Sequence, residues 1–180
     1  QKLKNNYLFL FQKFYALQDQ IEEMYFPRES YYQLIIHMSD VYHLLSIGSY
    51  YLEKWNESFF SFREVLTIRC LDSFNYLDEK IVDFSRAKRD LFIYELANYY
   101  IMYYWKRDIM EEIHLFFHNF SVIDAEKYLF YSLISIVPDI DYENHLEVSS
   151  FLSYTHKTLS FLSEENKENQ EREEEVLEEK

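Results

Sequence analysis

Side chains that could hold a metal or a phosphate concentrate between residues 68 and 104. Ile81, Val82, Asp83 and Phe84 read as a short extended run with a carboxylate near its end, and Asn75 lies on the run before it. An amide oxygen and a carboxylate on neighbouring strands are hard donors that suit a metal cation. Arg86, Lys88 and Arg89 follow as a basic knot. It could take a phosphate or serve as counter-charge, and Asp83 could pair with it instead of a metal. Asp90 reads as a helix N-cap, and Glu95 as an anion favoured near a helix N-terminus. His114 and His118 stand at i and i+4 with Glu111 one turn earlier. That spacing could serve one metal, or simply mark exposed helix histidines. Leu115 after His114 excludes the zinc-protease motif. His37 and His43, six apart, do not share a face and read as surface or rim residues. Cys70, among apolar neighbours, reads as an inert buried thiol. Tyr99, Tyr100, Tyr103, Tyr104 and Trp105 could stack on a ligand, but their spacing points to core packing with hydroxyls at the surface.

Helices must position these groups. Residues 3–24 form one, because Leu3, Tyr7, Leu10, Phe11, Phe14, Leu17, Ile21 and Met24 fall on one face. Pro27 closes that element. Ser30, with Gln33 three residues on, reads as the N-cap of a second helix running to about residue 52. Gly48 weakens it and could end it early. Trp55 and Phe59, Phe60 and Phe62 fit a third, shorter helix. Extended runs follow at 66–68, 74–77 and 80–84, with Asp78 and Glu79 as a tight turn, giving a small antiparallel sheet or hairpin. Beyond Asp90, an amphipathic helix carries Ile93, Leu96, Ala97, Tyr100, Ile101 and Tyr104. Three more helices are expected, at 109–117, at 124–137 between a cap at Asp124 and a stop at Pro138, and at 142–162.

Composition narrows the function. A chain of 180 residues that is 48% hydrophobic can bury a real core. One Gly and two Pro leave few tight turns, so long helices are favoured, and no glycine-rich nucleotide loop can be built. Nine Glu against three basic residues between Glu164 and Lys180 supply −6 of the net charge of −14. The remaining acidic body argues against non-specific binding to nucleic acid or to an anionic membrane. No apolar run is long enough to cross a bilayer, and there is no signal-peptide pattern. The single cysteine excludes an internal disulfide and fits a reducing, cytoplasmic compartment. From residue 163 onward apolar residues nearly vanish, which describes an acidic tail, solvated or helical. The organisation is therefore one domain, 1–162, and a tail, 163–180.

The run from Asn75 to Phe84, NYLDEKIVDF, and the run from Lys88 to Ala97, KRDLFIYELA, resemble the C-terminal lobe of aminoglycoside and choline phosphotransferases. The spore-coat kinase-like branch is the most similar. In that pattern a catalytic loop His-x-Asp-x-x-x-x-Asn precedes a hydrophobic strand ending in Asp-Phe, and a helix opening with an acidic residue and Leu follows. The resemblance implies that Asn75 and Asp83 hold Mg²⁺, which would bridge the phosphates of ATP. It also implies a mainly α fold, a helical C-lobe with a small β-hairpin. The chain departs from the pattern where chemistry would occur. Cys70 stands where the catalytic Asp belongs and Ile68 where the His belongs, and Cys cannot replace the carboxylate that orients a substrate hydroxyl. Asp72 is three residues from Asn75, not five, and would need a local shift to serve. The chain opens on Gln1, at what would be the first helix after the hinge, with no nucleotide-binding lobe before it. The expected function is that of a kinase-like, non-catalytic protein acting through protein partners, with an assembly or spore-coat role. The alternatives are the C-terminal part of an active ATP-dependent phosphotransferase, and an unrelated helical interaction module.

Overall fold

The computed structural model describes residues 1–58, 64–67, 76–77, 80–81 and 88–178, with side chains at 1–58 and 89–165. Among these the fold is mainly α. Its helices are α1 (Lys2–Glu22), α2 (Glu29–Ile36), α3 (Met38–Glu57), α4 (Phe92–Tyr103), α5 (Ile109–Asn119), α6 (Asp124–Ile134) and α7 (His145–Glu178). Four short strands lie between α3 and α4: β1 (Glu64–Thr67), β2 (Tyr76–Leu77), β3 (Lys80–Ile81) and β4 (Lys88–Leu91). The chain divides into two compact units, residues 1–50 with 135–180, and residues 51–134.

In the first unit α1 buries Tyr7, Leu10, Phe14 and Ile21, the face its periodicity marks. Phe14 packs against Phe151 and edge-on to Tyr142, at centroid separations of 5.9 and 6.1 Å. Gly48 neither ends α3 nor weakens a boundary; it sits inside the helix. A Cβ there would run into the Tyr7 hydroxyl and the Ser135 Cβ, so glycine is required by close approach. Ser30 is not an N-cap. Arg28 holds that position, and Ser30 is buried in the first turn of α2, where its hydroxyl donates to the Glu143 carbonyl at 3.5 Å. Arg28 pairs with Glu143 at 2.6 Å, which ties the start of α2 to the segment before α7. The helix expected from residue 30 to about 52 is broken at His37, and Trp55 lies in α3 rather than in a separate helix.

In the second unit β2 and β3 form the expected antiparallel hairpin, with Tyr76 opposite Ile81 and Leu77 opposite Lys80. β1 pairs antiparallel with β4, Glu64 facing Leu91 and Thr67 facing Lys88. Lys88, Arg89 and Asp90 therefore belong to a strand, not to a loop before a helix. Leu91 is the N-cap of α4, and the Asp90 carboxylate accepts from the Leu91 N–H at 3.0 Å. No apolar alternation marks β4; pairing with β1 makes it a strand. α4 packs against α5 and α6. Phe130, fully buried, meets Phe117 at 5.3 Å with perpendicular rings and Tyr100 edge-on at 6.1 Å. The start of α6 is fastened by Glu126, whose carboxylate accepts from the Ile123 N–H at 3.2 Å. α5 ends on Ser121 at φ 46°, with Val122 N–H donating to the Phe117 carbonyl and Ser121 N–H to that of His118. These bonds satisfy the last carbonyls of the helix.

Beyond the core, α7 continues through the acidic tail to Glu178, as glutamate- and lysine-rich sequence allows. Among the described residues no helix is long and apolar enough to cross a membrane.

Candidate functional site

Asn75, Asp83, Asp72, Cys70, Ile68 and Arg86 lie outside the described residues. In chain order Asn75 directly precedes β2, and Asp83 comes two residues after β3. Glu95 falls in the first turn of α4, as expected for an anion near a helix N-terminus. His114 and His118 both lie on α5, but among the described residues they join no group of three close metal-ligating side chains.

Two polar clusters stand out among the described side chains. The first lies in the second unit. The Tyr99 hydroxyl donates to Glu112 Oε2 at 2.5 Å, and Lys106 Nζ donates to the same hydroxyl at 3.1 Å. The ammonium also lies 3.8 Å from Glu112 and 4.7 Å from the centre of the Tyr103 ring. Burial and the bond to Glu112 raise the Tyr99 pKa, with Lys106 opposing. Beside this network α4 and α5 enclose a cleft of about 430 Å³. Leu96, Ile113, Phe116 and Phe120 give it apolar walls, with Tyr99 and Glu112 at its rim. Such a cleft can accept an apolar side chain, while its polar edge already carries both charges of an ion pair. The tyrosine-rich run thus divides as helical spacing requires: Tyr100 is in the core, and Tyr99 reaches the edge.

The second cluster lies in the first unit. His37 caps α2 with φ −103° and ψ 11°, and its carbonyl accepts from the N–H groups of Asp40 and Val41, opening α3. Asp40, three residues on, shares its side of the chain. His37 Nδ1 lies 3.3 Å from Asp40 Oδ2, and His156 Nε2 on α7 lies 3.1 Å from that same oxygen. The two imidazoles are 4.7 Å apart at 69°. The His37 and Asp40 pair at i, i+3 is visible in the sequence, but nothing there brings in His156, which is 116 residues from Asp40.

No protein-family model, no curated protein and no solved structure matches the chain.

Proposed function

We propose that this chain is a kinase-like, non-catalytic protein that keeps a nucleotide-metal position at Asn75 and Asp83 and acts through protein contacts. The observation that carries the reading is the nested strand pairing. β1 and β4 pair with each other, the β2–β3 hairpin lies between them in the chain, and α4 follows β4 directly. The resemblance to the phosphotransferase C-lobe implies an Asn, a strand ending in Asp-Phe and then a helix, and the chain order Asn75, β2, β3, Asp83 and α4 is compatible with it. Asn75 and Asp83 stand one and two residues from the paired positions Tyr76 and Ile81. An amide oxygen and a carboxylate are hard donors that suit Mg²⁺ carrying nucleotide phosphates. The lack of catalysis rests on Ile68 and Cys70, which occupy the positions of the His and the Asp that phosphoryl transfer requires. A reducing, cytoplasmic setting and a coat or assembly role belong to the same reading.

Thermal melting with and without Mg²⁺-ATP, on the parent and on Asp83→Ala, tests it. At a hundredfold excess over its dissociation constant a ligand adds about 2.7 kcal/mol. The expected result is a raised melting temperature in the parent, no shift in the variant, and no ATP turnover in either. A parent that does not shift removes the nucleotide site. Turnover lost in Asp83→Ala would make the chain a phosphotransferase instead.

A further inference from the structure

We propose that His37, Asp40 and His156 form a binding site for a divalent transition-metal ion, with Zn²⁺ as its reference occupant. The three donor atoms, two imidazole nitrogens and one carboxylate oxygen, all lie within 4.8 Å of one another. A tetrahedral ion bound at the usual zinc–nitrogen and zinc–oxygen distances places its ligands about 3.3–3.5 Å apart. The separations of 3.3 and 3.1 Å from Asp40 Oδ2 to the two imidazoles already approach that spacing. The edge between the imidazoles, within 4.8 Å, is the one that must shorten on binding.

The donor set selects the ion. Imidazole suits zinc, copper and nickel, whereas Mg²⁺ and Ca²⁺ take oxygen ligands almost throughout. This separates the site from the Asn75 and Asp83 position, whose donors are both oxygen, so neither proposal depends on the other. The backbone holds the ligands in place. His37 and Asp40 are fixed by the junction of α2 and α3, where the His37 carbonyl takes two N–H groups. His156 is fixed by α7, whose Thr155 and Thr158, on either side of it, are fully buried. α2 packs directly against α7. The His37, Asp40 and His156 side chains are 39%, 39% and 44% exposed. An ion can therefore enter from solvent and keep water in its remaining position. Bound there, it would clip α7 to the α2–α3 junction.

A hydrogen-bonded trio with Asp40 as a shared acceptor has the same distances without a metal, so the test must separate the two. The full chain, stripped with chelator, is titrated with Zn²⁺ by calorimetry and with Co²⁺ by visible absorption. The expected result is one equivalent of either ion, with the intense d–d bands of four- or five-coordinate Co²⁺. Asp40→Asn and His156→Ala should each weaken binding by about tenfold or more, while His118→Ala leaves it unchanged. Asp40→Asn keeps the side-chain shape, so the test stands even if His156→Ala fails to fold. Absence of a bound equivalent in the parent, or equal affinity in the parent and Asp40→Asn, overturns the site.

Discussion

The two units bury their rings in similar ways but depend on opposite features. In the second, large side chains fill the centre: Phe130 is fully buried against Tyr100, Phe117 and Tyr131, each met edge-on. In the first, a side chain is missing where one would do harm. Gly48 admits the Tyr7 ring to the surface of α3, and it is the single glycine of the chain. One unit should therefore suffer most from losing atoms, and the other from gaining them. Their polar clusters differ in the same sense. Lys106 already supplies the cation beside Tyr99 and Glu112. Around Asp40 two imidazoles share one oxygen, and an ion could replace that sharing with direct coordination.

The largest expected effect is Phe130→Ala. Deleting a fully buried aromatic side chain costs about 3–5 kcal/mol, part from lost transfer energy and part from the cavity left behind. Urea unfolding should show the midpoint falling accordingly; a loss below about 1 kcal/mol would mean that the unit can collapse around the gap, and the contrast would fail. Gly48→Ala comes next. Helix propensity alone favours alanine by about 1 kcal/mol, but the added methyl meets the Tyr7 hydroxyl and the Ser135 side chain. Overpacking of this kind costs about 1–3 kcal/mol. The sign is the informative outcome, because a stabilised Gly48→Ala would show that propensity, not close approach, governs the site. Paired with Tyr7→Ala, which removes the obstructing ring, the alanine should become less harmful.

These two positions also show what the sequence can and cannot disclose. α6, buried at every residue from 129 to 134, shows no single apolar face, but α1 and α4 each bury one, and their apolar period makes them legible. Gly48 is not. Its reason lies in Tyr7, forty-one residues earlier, and local propensity suggests only a weak point. β4 is hidden for a related reason: Lys88, Arg89 and Asp90 have no strand-like composition, and only pairing with β1 makes them extended. Asp90 therefore looks like a cap until the register is known. The hairpin is the converse case, since Asp78 and Glu79 between two short apolar runs carry a local turn signal. Of the Asp40 cluster, sequence offers the His37 and Asp40 spacing and nothing that points to His156.

Alkaline titration gives the smallest effect and compares the two units through one phenol each. Tyr42 donates to Gln18 at 2.9 Å and stacks on Tyr15 at 4.8 Å. Burial first, then the nearby Tyr15, Asp19 and Glu22, push its pKa from 10.0 up to about 12. Below pH 10 the phenol is protonated in both folded and unfolded chains, and its contribution to stability is fully present. Between pH 10 and about 12 the unfolded chain ionises while the folded one does not, so that contribution is lost as pH rises. Tyr99 is raised as well, but Lys106 opposes the shift, so its loss with pH should be shallower. Unfolding free energies of the parent, Tyr42→Phe and Tyr99→Phe at pH 9 and pH 11.5 measure the difference. The decline between those pH values should flatten more in Tyr42→Phe than in Tyr99→Phe. Equal flattening would mean that the ammonium beside Tyr99 offers no more relief than the amide beside Tyr42, and the two polar edges would then be electrostatically alike.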